Sequence, residues 1–188
     1  MDDKLYLTAQ DLLTDSFKLG LRIYKSGFRP SFIIGIWRGG TPVGIAVQEI
    51  LDHLGVKTDH IAIRTSSYYG INKKTKEVRV HGLAYLVRNA NRDDGLLIVD
   101  DVFDSGNSIQ AVLNMLTAKM RRNLPKDIRI ATPWFKPKNN ATDLIPDYYI
   151  HDTDQWLVFP HELDGLSREE ILKNKPEIKE LFEKEGVQ

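Results

Sequence analysis

The chain of 188 residues has no cysteine. That excludes disulfides, a thiolate nucleophile and cysteine-ligated zinc, and it accords with a reducing compartment. Neither charge is in excess: lysine plus arginine and aspartate plus glutamate each total 26. No global field therefore draws in nucleic acid or a membrane surface, and an anionic ligand must be held by local arrangement. No apolar run approaches the ~20 residues that span a bilayer. The opening MDDKLYLTAQ is acidic and amphipathic rather than a basic segment leading into an apolar core, so no signal peptide is expected. The five histidines show no metal-ligand spacing, and there is no repeat or low-complexity tract. These absences predict a cytoplasmic protein without nucleic-acid or membrane partners, and the length suits one well-buried domain.

What is present is an alternation of short β-rich runs and helical patterns. Leu12, Leu13, Phe17, Leu21 and Ile23 recur near helical spacing between a Thr8–Asp11 capping pair and Gly27. FIIGIW (32–37) reads as a buried strand, followed by a helix opened by Thr41-Pro42 and closed by Gly55. HIAIRT (60–65), Leu96–Val99 and DIRIAT (127–132) supply further strands, with a helix from about Asn107 to Met120. Apolar strands separated by helices imply an α/β fold, a parallel sheet flanked by helices, with ligands beyond the carboxyl ends of the strands. After Pro133 come the short aromatic strands PDYYI and QWLVFP. A helical tail follows, with a Ser167–Glu170 capping box and a break at Pro176. These form an appended subdomain. The polar segment 66–82 is either a surface hairpin or a mobile lid; from Asn72 to His81 it carries Lys73, Lys74, Lys76 and Arg79 against only Glu77.

Chemistry concentrates in LLIVDDVFDSGNSIQAV (96–112). Gly106 and its small neighbours permit a tight turn into a helix whose first N–H groups are unpaired. Such a terminus suits a phosphate, with the Ser105 and Ser108 hydroxyls as added donors and the helix dipole contributing about 1 kcal/mol. Asp100 and Asp101 cannot face that phosphate, but carboxylates accept from sugar hydroxyls and stand behind hydrated Mg²⁺. A ribose 5-phosphate satisfies both halves.

This stretch resembles the phosphoribosyl pyrophosphate (PRPP) signature of the type I phosphoribosyltransferases, with Ser105 where threonine is usual. The resemblance implies that family's fold with a small hood, in a single domain: a core of about 28–135 and a hood of about 136–188 plus the N-terminal segment. FIIGIWRGGTPVG resembles the pyrophosphate loop, in which Arg38, Gly39 and Gly40 would hold the leaving group. In relatives the peptide entering this loop, here Trp37–Arg38, is often cis. RTSSYYG resembles the start of the flexible catalytic loop through Ser67 and Tyr68, which makes the basic 72–81 segment a lid. ATPWFKP with DYYIHDTDQWLVFPHE resembles the base-recognition region of the 6-oxopurine enzymes. There Lys136 would donate to O6, Trp156 would stack on the base and the backbone at Leu157 would read its edge.

The implied metal is Mg²⁺, at Asp100, Asp101 and Glu162. PRPP would contact Arg38, Gly39, Gly40, Ser67, Tyr68, Asp100, Asp101, Asp104, Ser105, Gly106, Asn107 and Ser108. Asp104, Lys136 and Arg38 would be catalytic. The implied activity is transfer of phosphoribose from PRPP to N9 of hypoxanthine, guanine or xanthine, by a homodimer or homotetramer. Two other classes compete. A phosphoreceiver domain shares the acid pair, but here two strands precede that pair and the later Asp143 lies in a polar run. A non-catalytic PRPP or nucleotide sensor on the same fold is the alternative; the lid motif, Arg38, Asp104, Lys136 and Trp156 together favour the enzyme.

Overall fold

Runs of isoleucine, leucine and valine, buried along nearly their whole length, make the sheet that positions everything else. The structure, a computed structural model, describes residues 4–69 and 76–186. Its strands are β1 (Lys4–Tyr6), β2 (Phe32–Trp37), β3 (Asp59–Tyr69), β4 (Lys76–His81), β5 (Gly95–Val99), β6 (Val102–Phe103), β7 (Asp127–Phe135), β8 (Tyr148–Asp152) and β9 (Trp156–Val158). Its helices are α1 (Ala9–Lys25), α2 (Gly40–His53), α3 (Ala84–Asn89), α4 (Asn107–Met120), α5 (Arg168–Asn174) and α6 (Pro176–Glu185). Two compact units result. One spans Leu13–Asp154; the other joins the first twelve residues to those from Gln155 onward.

In the larger unit the strand order is β4-β3-β2-β5-β7-β6, with β8 also on β7. All pairings are parallel except β3–β4. The α/β expectation therefore holds. Ile34, Ile36, Ile63, Leu96, Ile98, Ile109, Val112 and Leu116 form one buried cluster between the sheet and α4, the stripe that a parallel sheet covered by helices requires. On α1, Gly20 lies so near α2 that an added Cβ would stand 2.2 Å from the Ile50 side chain. Three side chains tie α1 to β8: Asp15 to His151, Ser26 to the Tyr148 hydroxyl at 2.8 Å, and Arg22 to the Tyr149 carbonyl.

Four elements depart from the sequence expectation. β7 runs through Pro133 to Phe135 instead of ending at Thr132, because its flanking residues Thr132 and Trp134 still find β8 partners. The PDYYI strand consequently belongs to the main sheet and not to the appended segment. The helix α3, the three-residue β1 and the two-residue β6 were not foreseen; each is too short to show a period. The 66–82 segment is a hairpin as far as it is described, β3 against β4 with Thr65 opposite Val80. Lys73 and Lys74 of the expected lid lie outside the described residues, as do the side chains of Ser67, Tyr68 and Lys76.

In the smaller unit β1 pairs with β9, Leu5 opposite Leu157. The Thr8–Asp11 cap forms as its spacing predicts, the Asp11 N–H donating to Thr8 Oγ1 at 3.0 Å. So does the capping box of α5: the Glu170 N–H donates to Ser167 Oγ and the Ser167 N–H to Glu170 Oε2. Pro176 opens a separate helix rather than continuing α5. Lys175, 3% exposed, directs its ammonium to the carbonyls of Phe159 and Pro160 at 2.8 and 3.1 Å.

Glu170 also receives the Lys4 ammonium. That hydrogen bond, followed by the Ser167 N–H, pulls the carboxyl from an ordinary 4.5 to about 2. A depressed acid stabilises the fold fully above its unfolded value and loses that contribution as pH falls from about 4.5 towards 2. In an NMR titration of the side-chain carboxyl carbons, Glu170 is expected to titrate near the bottom of this range, and Lys4→Ala should move it upward. An unmoved midpoint in the variant would leave the capping box alone as the cause.

Candidate active site

Three loops meet at the carboxyl ends of β2, β5 and β7. The first leaves β2 through a cis Trp37–Arg38 peptide and enters α2 at Gly39-Gly40. Both glycines are needed for contact. A Cβ on Gly39 would stand 1.6 Å from Asp101 Oδ2, and one on Gly40 would stand 2.5 Å from the Val99 carbonyl oxygen and 2.8 Å from Asp100 Cα. The loop thus lies directly on the acid pair. Arg38 is exposed beside it.

The second loop carries the acids. Burial raises the Asp100 carboxyl well above the ordinary carboxylate range, and the neighbouring Asp101 charge raises it further; hydrogen bonds from the Asp101 and Gly40 N–H groups oppose both. Asp101 Oδ1 accepts from the Val102 N–H at 2.8 Å. The chain then turns at Gly106, whose φ of 76° only glycine adopts readily, and enters α4. The N-cap residue Gly106 has no side chain to cap that helix; the Asn107 N–H reaches Ser105 Oγ at 3.4 Å, and the helix start borders a cavity lined by Asp100, Val102, Phe103, Asp104, Ser105, Gly106, Ser108 and Ile109. The glycine is crowded as well as turned: a Cβ there would be 2.5 Å from Thr142 Oγ1 and 2.8 Å from the Phe103 ring.

The third loop follows β7. Lys136 is 8% exposed and its N–H donates to the Phe103 carbonyl at 2.8 Å. Its ammonium is 4.0 Å from Asp104 Oδ2, beyond hydrogen-bond range but close enough for the charges to act on each other. Asp104 Oδ1 accepts from the Asn139 amide at 2.7 Å. The larger unit therefore brings together Arg38, Gly39, Gly40, Asp100, Asp101, Asp104, Ser105, Gly106, Asn107, Ser108 and Lys136. Asn139 was missed by sequence reading. Its dipeptide with Asn140 signals a turn, but nothing in that signal says which acid the amide meets.

Trp156, Leu157 and Glu162 belong to the smaller unit. Trp156 is 60% exposed while Leu157 is buried. Glu162 Oε2 accepts the Phe159 N–H at 3.0 Å, and Phe159 returns its carbonyl to the Glu162 N–H at 3.0 Å. An indole held out to solvent on a short strand is available for stacking. Among the described residues no group of three or more His, Asp or Glu could hold a metal ion by itself. Two adjacent carboxylates still fit Mg²⁺, which prefers oxygen donors, keeps several waters and takes much of its shell from substrate phosphates.

The glycine pair gives a direct test. Gly40→Ala drives a Cβ into main-chain atoms that cannot rotate away, and the cost should be about 1–3 kcal/mol of stability. Thermal unfolding should show a midpoint several degrees lower, and an unchanged midpoint would mean that the loop does not rest on β5 as described.

The phosphoribosyl transferase domain family model matches residues 6–164. Among solved structures, the purine phosphoribosyltransferase of Pyrococcus horikoshii is 28% identical, with a TM-score of 0.69 over 88% of this chain and 98% of that one. A hypothetical protein of Neisseria gonorrhoeae with bound ppGpp is 23% identical, with a TM-score of 0.74 over 94% and 98%. The xanthine-guanine-hypoxanthine phosphoribosyltransferase of Helicobacter pylori is 21% identical, with a TM-score of 0.68 over 93% and 99%. With the family model covering most of its length, the chain belongs to the phosphoribosyl transferase domain family and is a glycosyltransferase enzyme.

Proposed function

We propose that the protein salvages purines, transferring the 5-phosphoribosyl group of PRPP to N9 of a 6-oxopurine and releasing pyrophosphate. The carrying observation is the placement of an exposed carboxylate, Asp104, 4.0 Å from a buried ammonium, Lys136, beside the N-terminus of α4. A 6-oxopurine presents matching features: a ring proton to give up and a carbonyl oxygen that gains charge as it does so. Adenine does not match, because its 6-amino group is a donor and Lys136 offers no acceptor.

In the reaction the bond between C1 and the pyrophosphate oxygen breaks and the bond from N9 to C1 forms. The electron pair of the broken bond leaves with pyrophosphate, and the purine loses a proton. The first-turn N–H groups of α4 with Ser105, Asn107 and Ser108 hold the 5-phosphate, while Asp100 and Asp101 accept from the ribose hydroxyls. Arg38 and the amides of Gly39 and Gly40 receive the negative charge on the departing pyrophosphate. Asp104 takes the proton at purine N7, and Lys136 stabilises charge on O6. Asp100 and Asp101 are the residues that would hold Mg²⁺, which would supply charge neutralisation to pyrophosphate. Ser67 and Tyr68, on β3, belong to the set that contacts PRPP. Trp156 stacks on a base and the Leu157 backbone reads its edge.

The first experiment is pyrophosphate release from PRPP and Mg²⁺ with hypoxanthine, guanine, xanthine and adenine in separate reactions. Release with one or more 6-oxopurines and not with adenine is expected. Tight PRPP binding by calorimetry without release on any base would make the protein a PRPP sensor instead. Asp104→Asn should lower turnover about 10²- to 10⁴-fold, the span of one acid–base group, while PRPP affinity stays near wild type. Near-normal turnover would remove Asp104 from this role.

A further inference from the structure

The connection after β7 does more than deliver Lys136. Four consecutive residues of the acid and phosphate loop, Phe103 to Gly106, are each met by a residue of 136–142. The Lys136 N–H donates to the Phe103 carbonyl and the Ala141 N–H to the Ser105 carbonyl, at 2.8 and 3.0 Å. Thr142 occupies the space beside Gly106. Between these main-chain and packing contacts stands one side-chain bond, from Asn139 Nδ2 to Asp104 Oδ1 at 2.7 Å.

We infer that Asn139 is a positioning residue for the reaction, fixing the plane of the Asp104 carboxylate so that Oδ2 faces the purine proton. This rests on the reading of Asp104 as the proton acceptor. A carboxylate on an exposed loop turns freely about its last bond unless a directional donor holds one oxygen. Lys136 cannot do this, since 4.0 Å is too long for a hydrogen bond and an ammonium's field has little preference between two oxygens. The amide can. A carboxylate only accepts, so the amide must present its NH₂ and not its oxygen, and a neutral donor orients the base without adding a second full positive charge beside it.

Asn139 is itself held. It closes a single 3₁₀ turn, Pro137–Asn139, with its N–H on the Lys136 carbonyl at 3.1 Å. Asn140, the adjacent asparagine, shapes the loop from within. Its side chain accepts from the Thr142 N–H and hydroxyl and donates to the Leu144 carbonyl. Of the two amides, only Asn139 reaches across to the acid.

The test is steady-state kinetics with PRPP and whichever 6-oxopurine the release assay selects, on Asn139→Ala, Asn139→Asp, Asp104→Asn and the Asp104→Asn/Asn139→Ala double variant. Asn139→Ala should lower kcat roughly 10- to 100-fold, the range for a misaligned reacting group, with KM for PRPP within about twofold of wild type. Asn139→Asp, almost isosteric, should be worse than alanine because it sets a carboxylate against Asp104. A packing role would give the reverse order. In the Asp104→Asn background, Asn139→Ala should cost nothing further, because residues acting as one unit are non-additive. Full kcat in Asn139→Ala, or an equal loss in both backgrounds, would overturn the proposal, and the second outcome does so even if the alanine variant folds poorly. An inactive Asp104→Asn beside a normal Asn139→Ala sinks this inference alone. A normal Asp104→Asn sinks the reading beneath it.

Discussion

The site depends on one close approach: the Gly39-Gly40 turn resting on the Asp100–Asp101 pair. With a Cβ at Gly39 only 1.6 Å from Asp101 Oδ2, no side chain other than hydrogen fits, and two loops from neighbouring strands become one surface. The contact also sets the electrostatics. It screens Asp100 from solvent, and that desolvation with the adjacent Asp101 charge raises its carboxyl well above the usual range. A cationic or hydroxyl-rich ligand that meets this pair relieves the penalty, whereas an anion increases it. Under the proposed function, the glycine turn thereby separates the ground for a sugar and its counter-ion from the ground for a phosphate, which would lie further along the same loop at the start of α4.

That separation follows from the order of elements in the sheet. β2 and β5 are neighbours and parallel, so their carboxyl ends, and the loops leaving them, open on the same side. β7 pairs with β5 on its other edge and delivers Lys136 to that same side. Three loops carry three kinds of chemistry because three adjacent parallel strands end together. The hydrophobic runs FIIGIW and GLLIV matter for this reason: being buried, they fix register, and register decides which residue of each loop stands at the sheet's lip.

How far the sequence alone could go follows the same logic. The strands β2, β3 and β5, the helices α2 and α4 and the two capping motifs were readable because each rests on a local period or on a capping residue within a few positions. Gly106 was readable because its turn is a local demand of the backbone. What could not be read was every contact made across loops. β7 continues through Pro133 because β8 is waiting beside it, and a proline reads as an interruption until the partner is known. Asn139 has no local signature beyond a turn. Its meaning lies in an acid 35 positions earlier, joined to it only after β5, α4 and β7 have packed.

Under the proposed function, the stitched segment 136–142 means that Lys136 and the loop from Phe103 to Gly106 need not be aligned afresh at each turnover. If Lys136 sat on an independent loop, its separation from Asp104 would vary with every fluctuation of that loop, and proton removal and charge stabilisation at O6 would coincide only occasionally. Hydrogen bonds at 2.7 to 3.0 Å on three consecutive residues of the acid loop instead make acceptor and cation parts of one body. Each of these bonds is modest singly, about 1 kcal/mol. Their value is in restricting relative motion, since catalytic groups pre-set in mutual geometry avoid reorganisation when charge develops. In the proposed reaction, a carboxylate that removes a proton and an ammonium that steadies the resulting charge act on two atoms of one ring. A rigid link between them is therefore the natural complement to a rigid substrate.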